Sequence, residues 1–459
     1  MSPTSPEDTI AAISTPPGEG AIGIVRLSGP DAIRIAAAVF CSSSGRDITT
    51  GSGRMFHGEI RAGNEILDEV LVHVMRAPRT YTREDVVEIN THGGAGPLQA
   101  VLELVLEKGG RLAEPGEFTK RAFLNGRIDL VQAEAVIDRI RAKTRAGLRA
   151  AHAAASGALS KAIAAMREPL LEALARIEAS VDFPEDDLPE LVTPELKASL
   201  ADIASNMEAL LKTADAGRLY REGASVTIAG RPNVGKSSLF NALLRDTRAI
   251  VTAQPGTTRD LLEEFITIQG IPVRLSDTAG LRHAEDEVER IGVDMARGAL
   301  TAADMVLFVI EATSPATPED DALATDLAAL EIPVFLVVNK TDLAPHPDLS
   351  HWENRFAATC LLSAETGAGL HEIENVLAEH LLHGTSVSPS EVLVSRVHQR
   401  DSLRRSHEAL EHLLANFDAS PEFLSIDLRD ALNALGEITG ETATEDVLDR
   451  IFSSFCIGK

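Results

Sequence analysis

Gly230 to Leu239 (Gly-Arg-Pro-Asn-Val-Gly-Lys-Ser-Ser-Leu) fits the phosphate-binding pattern G-x-x-x-x-G-K-[ST] and constrains the fold more than any other stretch of the chain. The pattern works as the turn between a strand and a helix, and its flanks comply. Ala224 to Ala229 sets Val226 and Ile228 against Ser225 and Thr227 with a strand's period of two, and Ser238 to Leu244 reads as the start of a helix. In such a turn backbone N–H groups face inward at a helix N-terminus, with Val234, Gly235 and Ser238 completing the cradle. Lys236 places a point charge on β/γ-phosphate oxygens, and the Ser237 hydroxyl can ligate Mg²⁺.

Three further segments turn a phosphate site into a guanine-nucleotide site. Asp277, Thr278, Ala279 and Gly280 follow the β-like Val273–Arg274–Leu275, so Asp277 sits at a strand end, where a carboxylate reaches Mg²⁺ through water and the Gly280 N–H meets a γ-phosphate. Asn339, Lys340, Thr341 and Asp342 follow the apolar run Val334 to Val338. The Asp342 carboxylate can accept from both N1–H and the 2-amino group of guanine, a donor pair that adenine lacks. Ser363 and Ala364, after the strand-like Ala357 to Leu362, resemble the backbone loop that meets guanine O6 in GTPases.

The remaining sequence implies a multidomain α/β protein. At 459 residues the chain is too long for one ordinary domain, and 44% apolar residues allow sizeable cores. No run of eighteen apolar residues occurs, and Met1 to Asp8 carries neither a basic segment nor an apolar core, which predicts a soluble chain with no membrane partner. Three cysteines, Cys41, Cys360 and Cys456, lie far apart and suit a reducing cytoplasm. A net charge of −26 argues against non-specific RNA or membrane affinity without excluding a local basic surface, and favours a basic partner or simple solubility.

Short apolar runs at Ile10 to Ile13, Ile22 to Leu27, Leu71 to Val74 and Val86 to Ile89 predict an α+β domain over residues 1–125. Alanine-rich helical periodicity from Val131 to Ile177, a break at Phe183 to Pro189 and further helix from Pro194 to about Leu219 predict an all-α segment over 126–222. A Ras-like P-loop domain with a mixed, mostly parallel sheet occupies 223–383, and helical pattern resumes over 384–459 in Val392 to Leu414, Ser425 to Ile438 and Thr444 to Phe452. The nucleotide domain is thus expected as an insertion into a discontinuous helical domain. Tied at both ends, it could pass a change at the γ-phosphate to helices on either side.

Leu281 stands where many switch GTPases have the glutamine that orients water, so hydrolysis must use another group. Glu285, Asp286, Glu287 and Glu289 could each serve, although taken singly each reads as part of a solvated acidic helix start, and His283 as a surface residue. Asn233 and the loop Thr252, Ala253, Gln254, Pro255, Gly256, Thr257 and Thr258 complete the site. Thr258 is the natural second Mg²⁺ ligand. Loop carbonyls with the Asn233 side-chain oxygen could ring a monovalent cation near the β/γ bridge, in place of an arginine finger.

With these segments in hand, the chain resembles the tRNA modification GTPase MnmE (TrmE) family over nearly its full length. The resemblance rests on Asp8 to Ala12 with Thr15 to Gly18, on Pro115 to Leu130 (PGEFTKRAFLNGRIDL), on the GTPase segments and on the ending Phe452 to Lys459 (FSSFCIGK). It implies a dimerising N-terminal domain that binds a reduced folate (formyl- or methylene-tetrahydrofolate), a discontinuous helical domain and an inserted K⁺-dependent GTPase domain that itself dimerises. Family members act with the FAD-containing MnmG (GidA) in a heterotetramer to place a carboxymethylaminomethyl or aminomethyl group on C5 of the wobble uridine of certain tRNAs. Carried over by motif, Asn233 with carbonyls of Thr252, Gln254 and Thr257 would hold K⁺, and Glu289 would orient water. Arg26, Glu88, Arg127 and Lys459 would fall at the folate pocket, with Glu88 pairing to the pterin, and Cys456 would be either a packed tail residue or a participant in the modification chemistry. Ala253 departs from the aspartate the family commonly has after this threonine. The competing reading is a ribosome-assembly GTPase switch without modification chemistry; no clear basic KH-like module follows the GTPase segments. A free-standing folate one-carbon transferase would need a nucleophile and base that are not recognisable in the first 120 residues.

Overall fold

A computed structural model of the protein describes residues 8–182, 193–246, 263–277, 303–330, 332–382 and 388–459. Two compact units divide the chain: Met1–Ile137, Ala155–Pro189 and Ala419–Lys459 form one, Asp138–Ala154 and Glu190–Asp418 the other.

The first unit is built on seven strands: β1 (Ile10–Ile13), β2 (Gly20–Ser28), β3 (Phe40–Ser42), β4 (Arg54–Ala62), β5 (Glu65–Met75), β6 (Val86–Gly93) and β7 (Arg111–Leu112). Their order is β3-β4-β5-β6-β2-β1-β7, antiparallel throughout except for the parallel pair β1/β7. Inward residues at alternate positions (Val25 and Leu27, Val70, Val72 and Val74, Val87 and Ile89) share one core with Ile35 and Ala36 of helix Ala32–Val39 and Val101 and Val105 of helix Ala95–Glu107. Period-two strands and amphipathic helices therefore bury a common apolar face. Helices Ala158–Asp182 and Pro421–Thr439 pack against each other in the same unit.

The motif Pro115 to Leu130 owes much of its chemistry to structure. Glu117 and Arg121, one turn apart on helix Glu117–Leu124, are 5% and 7% exposed and 3.1 Å apart. Arg111 of β7 also meets Glu117 and holds Asp8 at 2.6 Å, while Arg121 pairs with Asp8 and with Glu84 at 3.2 Å. These charges clamp the start of β1 to β7 and the helix. A carbonyl adds to the clamp, since the Arg121 guanidinium donates to Asp8 O at 2.8 Å.

In the second unit, β8 (Ala224–Ala229), β9 (Glu263–Ile268), β10 (Ile271–Asp277), β11 (Met305–Glu311), β12 (Val334–Asn339) and β13 (Ala358–Leu361) form a sheet of order β13-β12-β11-β8-β10-β9. Every pair is parallel except β9/β10. Met305, Leu307 and Val309 face the core shared with helices Lys236–Asp246 and Leu370–Leu381, while Val306, Phe308 and Ile310 face helix Pro318–Ala328 and Trp352. Helix Pro194–Leu211 packs on Val397–Ala415, where the Ser406 hydroxyl lies 3.7 Å from Met207 Sδ.

Ser225 and Thr227 of β8 are buried with their apolar neighbours, because the strand is central and helices cover both faces. The helical pattern from Pro194 to about Leu219 forms two helices, Pro194–Leu211 and Ala214–Glu222, and the packed helices expected over Val131 to Ile177 are three, Leu130–Arg141, Arg145–Ala155 and Ala158–Asp182. The break at Phe183 to Pro189 lies outside the described residues.

Arg121→Met would take from Glu84 its cationic partner and leave Asp8 and Glu117 to share Arg111, and should destabilise the first unit by about 3 kcal/mol in urea unfolding. Acid acts on the same cluster. Burial works to raise Asp8, but its bonds from Arg111 and Arg121 and their charges outweigh it, so the carboxyl titrates below its ordinary value. Its stabilising contribution should be complete above the unfolded value of about 3.9 and be lost as the pH falls from there toward the lower folded value, read as a falling urea midpoint that Asp8→Asn makes shallower.

Candidate functional site

The P-loop begins where β8 ends and runs into helix Lys236–Asp246. Central placement of β8 between β10 and β11 aims the loop beyond the carboxyl ends of the parallel strands, where open α/β sheets bind ligands. The same end carries Asp277, paired in register with Ile228, and Asn339, in register with Glu311.

Asn339 joins the loops. Its side chain, in a residue 2% exposed, donates from Nδ2 to Val234 O at 3.0 Å and accepts the Ala364 N–H on Oδ1 at 3.0 Å. One amide thus fixes the phosphate loop against the Ser363–Ala364 loop. Gly235 is required beneath it: its φ is +98°, and a Cβ there would stand 2.2 Å from Asn339 Nδ2. The Thr341 N–H adds a bond to Leu362 O at 3.2 Å. Ser363 is buried, whereas Asp342 is exposed.

Lys236 is 7% exposed and donates from Nζ to Arg231 O at 2.8 Å, which curls the ammonium back over its own loop. Ser237 and Ser238 are exposed in the first turn of the helix. Lys340 donates to Asn233 O at 3.0 Å and to Glu311 at 2.6 Å; Asn233 and Lys340 both have left-handed backbones, at φ +65° and +66°. Arg231 meets Glu311 at 2.8 Å and Asp320 at 3.3 Å. The Lys340 bond, with Ser314 and the Lys340 and Arg231 charges, holds Glu311 below the usual carboxylate range against the opposing effect of burial. Sequence reasoning passed over Glu311, Arg231 and Asp320. Two signals pointed to them: a carboxylate ending the otherwise apolar strand Met305–Glu311, and the capping box of Thr317 with Asp320 at the start of helix Pro318–Ala328.

The Mg²⁺ and K⁺ expectations at Thr252, Ala253, Gln254, Pro255, Gly256, Thr257 and Thr258, the segment Thr278, Ala279 and Gly280, and Glu289 lie outside the described residues.

The first unit holds a second constellation. Arg26 of β2 lies opposite Glu88 of β6 and bonds it at 2.9 Å through Nε and 2.8 Å through Nη2, both on Oε1. Arg26 Nη1 also donates to the Gly458 carbonyl at 3.3 Å, and the guanidinium lies 5.8 Å from the Phe118 ring. Arg127 lies 4.8 Å over the Tyr81 ring, and the Tyr81 hydroxyl meets Thr119 Oγ1 at 2.9 Å. Burial lifts the Tyr81 phenol above its usual value, against the Thr119 bond and the Arg127 and Arg26 charges. Phe118 and Thr119 are neighbours on helix Glu117–Leu124, so the two guanidinium–aromatic pairs flank one helix. The tail is drawn in by Gly458, whose φ of +87° admits no Cβ because Ile13 O would lie 2.3 Å away. Lys459 is half-buried; Cys456 is exposed, and its carbonyl accepts from Gly116 N–H at 3.3 Å. The structure therefore brings Arg26, Glu88 and the tail together and places Arg127 by Tyr81; Tyr81, Phe118 and Thr119 were missed because aromatic and hydroxyl residues at such spacing read as core.

Comparison with known proteins converges on one group. A family described as GTP-binding protein TrmE N-terminus matches residues 9–127, and the MnmE helical domain family matches residues 130–456, bracketing the nucleotide-binding sheet. The chain is 47% identical over 458 residues to the tRNA modification GTPase MnmE of Geotalea uraniireducens, covering 99% of both chains. It is 50% identical over 465 residues to that of Chloroflexus aurantiacus (98% of this chain, 100% of the relative) and 48% identical over 465 residues to that of Heliobacterium modesticaldum (98% and 99%). With its P-loop tied by the Asn339 amide to the Ser363–Ala364 loop and its sequence matched over 99% of its length, the chain belongs to the tRNA modification GTPase MnmE family.

Proposed function

We propose that the protein hydrolyses GTP in order to drive modification of the wobble uridine of certain tRNAs, adding an aminomethyl or carboxymethylaminomethyl group at C5 together with an FAD-containing MnmG partner. The observation that carries the GTPase half is the Asn339 amide, which holds the phosphate loop and the guanine-side loop as one site. Lys236 neutralises β/γ oxygens, Asp342 takes the two guanine donors, and the Ser363–Ala364 backbone faces O6. Hydrolysis at such a site is positioning and charge stabilisation, so Lys236, rather than a proton acceptor, does most among the described residues.

The residues present fit the metals the family implies. The exposed Ser237 hydroxyl beside Lys236 suits Mg²⁺, with Thr258 as its second protein ligand. Asn233, whose left-handed backbone turns its carbonyl to Lys340, keeps its side-chain oxygen for a K⁺ ring with the Thr252, Gln254 and Thr257 carbonyls. Bound there, K⁺ supplies the charge that an arginine finger supplies elsewhere, and Glu289 orients the attacking water.

A reduced folate fits the Arg26–Glu88 constellation, as one-carbon donor. A carboxylate with Oε2 outside the Arg26 pair can accept from a pterin's N–H and amino group, and the half-buried Tyr81 lies beside Arg127. Arg127 and Lys459 are the cations for the folate's glutamyl carboxylates. In this reading residues 1–125 bind folate and form a homodimer, 126–222 and 384–459 make the helical domain, and 223–383 are the GTPase domain, which dimerises in its turn. The protein works in the cytoplasm. Among the described residues no helix is long and apolar enough to cross a membrane.

GTP hydrolysis should run at least tenfold faster in K⁺ than in Na⁺, which demands shorter ligand distances, and Asn233→Ala should erase the preference; phosphate-release assays in each salt decide this. Mass spectrometry of wobble nucleosides tests the pathway. Lys236→Ala should leave the uridine unmodified with the first unit intact, and Arg127→Ala should weaken folate binding while sparing hydrolysis. Full modification in a Lys236→Ala strain that has lost GTPase activity would favour a ribosome-assembly switch instead.

A further inference from the structure

Glu311 stands where the two halves of the nucleotide site meet. It ends β11, its backbone lies in register with Asn339 at the end of β12, and the Ala312 N–H is bonded to Asn339 O at 2.8 Å, so neither strand end can shift alone. Its two carboxylate oxygens are divided between loops. Oε2 accepts from Lys340 Nζ at 2.6 Å, on the base side; Oε1 accepts from Arg231 Nη2 at 2.8 Å and from the Ser314 hydroxyl at 3.0 Å, on the phosphate side. The side chain is 18% exposed, where charge-assisted bonds keep most of their strength. Arg231 is braced in turn by Asp320, 2% exposed, on helix Pro318–Ala328.

We propose that Glu311 is a positioning residue for guanine selectivity: through Arg231 and Lys340 it locks the phosphate loop to the base-reading loop, so that Asp342 meets the base in register only while the P-loop is in place. The inference rests on the reading of Asn339 to Asp342 as the guanine-side loop and goes beyond it by making a P-loop arginine a determinant of base choice.

Lys340 explains why an anchor is needed. Its backbone is left-handed at φ +66°, a conformation that costs a non-glycine residue free energy and persists where surrounding bonds enforce it. Two acceptors, Glu311 and the Asn233 carbonyl, do so from opposite directions. With the carboxylate made neutral, the Lys340 and Arg231 bonds to residue 311 lose their charge assistance, and residues 340–342 can drift from the P-loop.

The test uses the full-length protein and release of fluorescently labelled GDP and IDP in stopped flow. IDP lacks the 2-amino group, so it makes one bond fewer to Asp342 and reports how well that carboxylate is aligned. Glu311→Gln should speed GDP release roughly tenfold, the effect of losing one charge-assisted bond, and shrink the preference for GDP over IDP. The KM for GTP should rise more than kcat falls. Arg231→Met, a change in the phosphate loop, should shrink the same preference, whereas a defect confined to phosphate binding would weaken both nucleotides equally. In the Lys340→Met background, Glu311→Gln should add little, since the shared contact is already gone. Unchanged GDP/IDP preference in Glu311→Gln and Arg231→Met proteins with native melting temperatures overturns the proposal, as does full additivity with Lys340→Met. Failure of the underlying reading looks different: the native protein would then hold ADP as well as GDP.

Discussion

A single buried amide sets the geometry of the nucleotide site. Asn339 bonds Val234 on one side and Ala364 on the other from a position almost without water, so three loops that are far apart in sequence share one rigid reference. Each such bond adds only about 1 kcal/mol net to stability, but leaving either partner unmade in a dry site costs about 1–3 kcal/mol, so alternatives to this arrangement are penalised. Gly235 belongs to the same constraint, since any side chain there would displace the amide. The central strand β8 makes the arrangement possible by delivering the P-loop between β10 and β11, level with the ends of β11 and β12.

Charge is organised differently in the two units. In the first, Asp8, Glu84, Arg111, Glu117 and Arg121 are committed to holding the edge of a sheet, and their near-complete pairing leaves them little capacity for a ligand. Arg26 and Glu88 pair with each other, and Arg26 and Arg127 lie against the rings of Phe118 and Tyr81. In the second, Arg231, Glu311, Lys340 and Asp320 form a chain of alternating sign that links loops instead of elements.

Much of this was legible from residues alone. Gly230 to Ser237, Asn339 to Asp342 and Ser363–Ala364 announced themselves because phosphate and guanine each demand a fixed short spacing of particular groups, and the strands between them followed from unbroken apolar runs. The motif Pro115 to Leu130 was equally visible as a string, yet its string gave no hint that Glu117 and Arg121 would be committed to an internal ion cluster while Phe118 and Thr119 faced Arg26 and Tyr81. Adjacent helical residues point about 100° apart, so neighbours in one motif serve unrelated ends.

Sequence by itself determined the local chemistry of this protein: a phosphate loop, the Asn339–Asp342 motif, the order of strands and helices along the chain, and membership of its family, all of which depend on contacts within a few residues or on motif spacing. Tertiary structure decided which groups answer one another across long separations. The pairing of Arg26 with Glu88, the return of Gly458 against β1, the division of Glu311 between Arg231 and Lys340, and the burial of Ser225 and Thr227 arise from strand order and register. Those are set by packing whole faces against one another, and no local pattern encodes them because the free energy involved is shared over the entire core.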